Sequence, residues 1–115
     1  MRTTVADIVR ETAAKHRLTV AQLLGQNRSR QYVRPRQEAM YRVFTECKHI
    51  SYPEAGRRLG GRDHTTIYSG VKAHAQRIGI AYADAKLIRE GGFNKPAFAA
   101  MASQYAQTLE AHRVQ

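Results

Sequence analysis

The pair Gly60-Gly61 constrains this chain more than any other feature. Adjacent glycines stop a helix and let the backbone turn sharply. Helical signals lie on both sides. Upstream, Ser51-Tyr52-Pro53-Glu54 has the form of a capping box, with serine at the cap, proline just inside and glutamate three residues on. Downstream, Ile67, Val71, His74 and Ile78 recur at helical spacing. Helix, glycine turn, helix is the pattern of a helix-turn-helix unit, in which the first turn of the second helix faces DNA. The first helix is expected over Tyr52–Leu59, with Ala55 and Leu59 inward and Arg57 and Arg58 outward. The second is expected from His64 to about Gln76, closed by Gly79.

The opening of that second helix is polar throughout. Arg62, Asp63, His64, Thr65 and Thr66 are five consecutive hydrogen-bonding side chains. Asp63 can cap backbone N–H groups or accept from a cytosine amino group. The His64 ring and the threonine hydroxyls suit base edges, and a threonine methyl suits the thymine methyl.

Charge points the same way. The 115 residues carry a formal charge of +10, with a pI near 10.4, and a small domain that basic faces polyanions. No stretch is apolar for long enough to cross a membrane, and Met1-Arg2-Thr3-Thr4 has no apolar signal-peptide core. The single cysteine, Cys47, excludes an internal disulfide and suits a reducing cytoplasm.

The rest of the chain is helical by pattern, with no alternating strand signal. Thr4 to Lys15 is expected as a helix with Thr4 as cap, Asp7 three residues on, and Val5, Ile8, Val9 and Ala13 as its apolar stripe. Thr19-Val20-Ala21-Gln22 is a second capping box, opening a short helix through Leu24 that Gly25 ends. Leu18, Val20, Leu23 and Leu24 are expected in the core. Gln26 to Arg34 is expected as a polar loop. With Arg36 it carries four arginines, Arg28, Arg30, Arg34 and Arg36, suited to phosphate contacts or to insertion into a narrow minor groove. Pro35 is placed to start a third helix, with Ala39, Met40, Val43, Phe44 and Cys47 inward and Lys48 and His49 at its end. Beyond Ile78, Ala81 to Arg89 is a weaker helix candidate, with Ala85 and either Ile88 or Leu87 inward. A last helix is expected from Lys95 to about His112, with Phe98, Met101, Tyr105 and Leu109 on one face. That face either folds back on the domain or meets a partner, as a homodimer seam or a protein contact.

Taken together, Arg28-Ser29-Arg30, Arg34-Pro35-Arg36-Gln37 and Gly61-Arg62-Asp63-His64-Thr65-Thr66 resemble the C-terminal DNA-binding domain of the bacterial replication initiator DnaA. The resemblance runs from about Val5 to Ile78. It implies a small helical bundle that binds a short duplex element, the DnaA box. By resemblance, Asp63, His64, Thr65 and Thr66 match positions that enter the major groove, and Arg28 matches the loop arginine that reaches the adjacent minor groove. Ser29, Arg30, Arg36, Gln37 and Pro53 match positions near the phosphate backbone. With Arg34 of the same loop and Arg62 of the turn, they form the expected backbone-contacting set.

The chain departs from the family pattern in three ways. One additional residue separates the third helix from the capping serine, so family contacts near Glu46, Cys47 and Lys48 do not carry over. The tail after Gly91 extends past the usual end of the domain. No Gly-x-x-x-x-Gly-Lys-Ser/Thr loop is present, so the resemblance extends to the reader and not to the ATPase. The chain is either an excised domain or a free-standing reader, and the extra C-terminal helix favours the latter.

Other classes fit less well. Asp63-His64, or Cys47 with His49, could suggest catalysis, but adjacent helical residues do not face one pocket and no orienting third group is evident. The five histidines have no tetrahedral metal spacing. The sequence thus predicts an all-α fold, with a helix-turn-helix domain over residues 1–79 and a helical extension over 80–115. It predicts sequence-specific binding of double-stranded DNA at DnaA-box-like sites, in the cytoplasm on the nucleoid, without cofactor, metal, membrane or catalysis. Such a reader would regulate replication initiation or transcription by occupying its sites. The alternatives are a helix-turn-helix regulator with a diverged target, or an interaction module acting through the C-terminal helix.

Overall fold

The computed structural model describes residues 3–91. The described residues form six α-helices and no strand: α1 (Val5–Lys15), α2 (Val20–Leu24), α3 (Arg30–Glu46), α4 (Tyr52–Arg58), α5 (His64–Arg77) and α6 (Tyr82–Arg89). The last expected helix, with Phe98, Met101, Tyr105 and Leu109, lies outside them.

Local chemistry fixes most helix ends. Thr4 Oγ1 accepts the Asp7 N–H at 3.1 Å while the Asp7 carboxylate accepts the Thr4 N–H at 3.2 Å, a complete capping box. Thr19 and Gln22 repeat it at 3.0 and 2.9 Å for α2. At α4 only half of the expected box forms. Ser51 accepts the Glu54 N–H at 3.3 Å, but the Glu54 carboxylate turns outward to Arg57 and Arg58. Helix α5 ends in a Schellman turn, with the Ile80 N–H on the Ala75 carbonyl at 2.8 Å and the Gly79 N–H on Gln76 at 3.1 Å.

Helix α3 departs most from expectation. It starts at Arg30, so Arg30 to Arg34 are helical rather than loop, and Pro35 sits inside the helix. A proline there leaves the carbonyl four residues earlier without its helical donor. That residue, Gln31, is exposed, so water can take its carbonyl. At its other end α3 stops at Glu46, and Lys48-His49 form the turn beyond.

Helix α3 is the axis of the bundle and packs against each of the other five helices. Ile8, Leu23, Val43, Leu59, Ile67 and Val71 are each at most 1% exposed. Burying such a side chain contributes about 1.5–3 kcal/mol. Cys47 is buried with them, and burial pushes its thiol pKa up, as suits a core residue. Val20, expected in the core, and Ile78, on the apolar repeat of the second helix, are each 40% exposed. Val20 opens a five-residue helix that turns Leu23 inward instead. Ile78 is the cap residue of α5, and Ile80 packs on the core after the turn.

Helix α6 belongs to the same core. Ala85 is fully buried, Ile88 half-buried and Leu87 exposed. Arg89 lies over the Phe44 ring at 4.8 Å and donates to the Phe44 and Ile50 carbonyls at 2.7 and 2.5 Å.

Candidate nucleic-acid interface

The helix-turn-helix is closed by a backbone contact. The Arg62 N–H donates to the Gly56 carbonyl at 2.7 Å, bringing the turn over α4. A Cβ on Gly56 would stand 2.0 Å from the Arg62 carbonyl oxygen, so only glycine fits there. Gly60 and Gly61, at φ +89° and +73°, carry the reversal. The sequence reading identified the turn glycines but not Gly56, whose only signal is a glycine within a short helix.

The turn delivers α5 with Asp63, His64, Thr65 and Thr66 all exposed. Asp63 is the N-cap residue, yet its side chain makes no capping hydrogen bond. It instead accepts the Thr65 hydroxyl at 3.0 Å and contacts His64 Nδ1 at 2.8 Å. The Thr65 hydroxyl holds the Asp63 carboxyl below its ordinary pKa, so at neutral pH it is a pure acceptor. A His64 ring that donates from Nδ1 presents Nε2 as an acceptor, and the Thr66 hydroxyl can donate. The first turn therefore offers both hydrogen-bond senses at the surface.

The segment before α3 is the second half of the interface. Arg28, Ser29, Arg30 and Arg34 are exposed. Asn27 Oδ1 accepts the Ser29 N–H at 2.9 Å, and the Ser29 hydroxyl makes no capping bond although Ser29 is the N-cap of α3. The first turns of α3 and α5 thus both lack a side-chain cap. Uncapped N–H groups at a helix start favour anions. Between these elements lies a cleft of about 390 Å³, lined by Arg28 and Gln37 on one side and Gly61, Asp63, Thr66 and Ser69 on the other. Gln26 and Ser69 also face it and were absent from the sequence-based set. Ser69 could have been found, since it lies three and four residues after Thr66 and Thr65 on one helical face.

Two residues of the expected backbone-contacting set, Arg36 and Arg62, line the same cleft but turn their guanidiniums to backbone carbonyls. Arg36 is 6% exposed, and its guanidinium donates to the carbonyls of Leu23 at 2.6 Å, Asn27 at 2.9 Å and Gln22 at 3.3 Å. Arg62 is half-buried and donates to Leu59 at 2.6 Å, to Leu24 at 3.1 Å and to Gly25. Helix ends leave their last carbonyls unpaired, and α2 ends here with polar oxygens turned inward. The two arginines satisfy them. Burial lowers both pKa values, and the Arg62 charge lowers that of Arg36 further. Gln37 is half-buried, with its Oε1 accepting from Arg77 at 2.7 Å, which leaves its NH2 group as the donor beside the cleft. Pro53 is exposed on the first turn of α4.

This bundle, with an exposed polar first turn on the second helix of its unit, is a helix-turn-helix DNA-binding domain. Residues 5–73 match the bacterial dnaA protein helix-turn-helix, and the chain belongs to that family. Chromosomal replication initiator protein DnaA of Roseobacter denitrificans is 45% identical over 69 residues, covering 60% of this chain and 15% of the relative. The DnaA protein of Ruegeria pomeroyi is 46% identical over 72 residues, covering 60% and 14%. That of Xanthobacter autotrophicus is 43% identical over 89 residues, covering 77% and 17%. The chain thus spans roughly 15% of the length of the curated relatives it matches. Among the described residues, no helix is long and apolar enough to cross a membrane.

Proposed function

We propose that this chain reads DnaA-box-like duplexes, with α5 in the major groove and Arg28 in the adjacent minor groove. The observation that carries the reading is the shared cleft: Arg28 stands on one wall and Asp63 and Thr66 on the other. Adjacent grooves of a duplex are separated by one sugar-phosphate strand. A protein reading both must straddle that strand, and a cleft between two uncapped helix starts is suited to receive it. Asp63, His64, Thr65 and Thr66 contact bases, while Ser29, Arg30, Arg34, Gln37 and Pro53 lie against the backbone. The chain acts in the cytoplasm on the nucleoid and hydrolyses no ATP. It occupies its sites and so regulates replication initiation or transcription.

Titration against two labelled duplexes, one with a DnaA box and one scrambled, tests this at about 150 mM salt, where non-specific contacts are weakened. A preference of about a hundredfold or more is expected, within the range that separates specific from non-specific binding. Equal binding to both would overturn the DnaA-box assignment.

A further inference from the structure

We infer that Arg36 and Arg62 are positioning residues that aim Arg28, an inference that rests on the minor-groove reading above. The two guanidiniums grip one continuous stretch of backbone, the end of α2 and the segment after it. Arg36 reaches from α3 to the carbonyls of Gln22, Leu23 and Asn27. Arg62 reaches from the turn to Leu24 and Gly25. Its Nη1 also holds Leu59 at 2.6 Å, so one nitrogen bridges the end of α2 to the cap of α4. Asn27, held by Arg36 through its carbonyl, is the residue immediately before Arg28. Its side chain holds Ser29, immediately after. Arg28 is thereby fixed by its neighbours while its own side chain stays exposed.

Gly60 belongs to the same device. A Cβ there would stand 2.2 Å from Arg62 Nη1 and 2.5 Å from the Leu24 carbonyl oxygen. The glycine turn therefore leaves the space through which the guanidinium passes. The distance between the minor-groove reader and the major-groove reader is set by side chains that need not touch DNA. A planar fork is required, because a single ammonium cannot satisfy several separated carbonyls at once.

The test is a double-mutant cycle on a DnaA-box duplex, using Arg62→Lys, Arg62→Gln and Arg28→Ala. Circular dichroism first establishes the temperature at which each is folded. Arg62→Lys keeps the charge and serves if Arg62→Gln does not fold. A phosphate contact would be rescued by lysine, which binds phosphate well as a point charge. A positioning fork would not be. The expected result is a loss of about tenfold for either Arg62 variant, shrinking to about twofold or less when Arg28→Ala is already present. The slope of log K against log salt should stay unchanged in Arg62→Gln. Wild-type affinity in Arg62→Lys, losses that multiply with Arg28→Ala, or a slope reduced by about one would each overturn the inference. If Arg28→Ala alone leaves DnaA-box affinity unchanged, the minor-groove reading itself fails, and the inference with it.

Discussion

Replacing Gly56 with alanine sets two opposed effects against each other at one atom. An alanine within a helix is worth about 1 kcal/mol over glycine, which by itself would stabilise α4. The added methyl would meet the Arg62 carbonyl oxygen at 2.0 Å and its carbonyl carbon at 3.0 Å, where ordinary contact begins near 3.4 Å. The atoms met are backbone, not the end of a flexible side chain. The turn must therefore move, and the 2.7 Å bond from the Arg62 N–H to the Gly56 carbonyl moves with it. Overpacking of a tight site costs about 1–3 kcal/mol, and a rigid neighbour puts this site at or above the upper end. The net expectation is a loss of about 2 kcal/mol. For a domain of this size that lowers Tm by roughly 8–16 °C. Gly61→Ala is the control, since a Cβ there meets nothing within 4 Å and only the φ of +73° is strained. Its loss should be about 1 kcal/mol. Thermal unfolding followed by circular dichroism compares the three proteins. If Gly56→Ala matches or exceeds the wild-type Tm, helix propensity has won, and the turn is not held against α4 as described.

His64→Ala or Thr65→Ala should cost about 1–3 kcal/mol on a DnaA-box duplex and flatten discrimination, read by titration against cognate and scrambled DNA; equal weakening on both would remove them from base reading. Arg34→Ala should weaken all DNA alike and reduce the salt slope by about one. Stability should also respond to His74, which is 8% exposed and whose pKa burial lowers from the ordinary 6.5. The unfolded chain then takes up a proton more readily than the folded one. Stability is full above about pH 6.5 and falls as pH drops toward the lower folded value. Tm measured from pH 7 to pH 5 should fall less steeply in His74→Leu than in the wild type, and parallel curves would exclude this histidine.

Where structure follows from short-range chemistry, the sequence was a good guide. The boxes at Thr4 and Thr19, the cap at Ser51 and the glycine turn are written in neighbouring residues, and their helices lie where those residues place them. The exposed first turn of α5 was legible for the same reason, because a polar run has no core to face. Misreadings arose where several partners compete for one group or where the deciding residue lies outside the local pattern. Pro35 looks like a helix start until Ser29 is seen to begin α3. Glu54 fits a capping box, but two arginines on the next turn compete for it. Nothing local distinguishes Arg36 from Arg34. What separates them is that α2 ends against one and not the other.

Among the described residues, the same distinction bears on how many charges around the cleft DNA can meet. The chain has 19 lysines and arginines, and its net charge treats them alike. Many are already engaged. Arg10 pairs with Asp7, Arg42 with Glu11 and Glu46, and Arg57 and Arg58 with Glu54. Arg36, Arg62 and Arg89 serve backbone carbonyls. Arg28, Arg30 and Arg34 remain exposed around the start of α3. A salt slope scales with phosphates neutralised, at about 0.9 per contact on duplex DNA. Arg30 and Arg34 against the backbone, with Arg28 in the groove beside them, imply a slope of about −2 to −3 on a DnaA-box duplex, far shallower than the net charge would suggest. The slope comes from repeating the cognate titration from about 50 to 200 mM salt. A value of about −6 or steeper would mean that cations beyond these three meet phosphate, and the division of charge drawn around the cleft would be wrong.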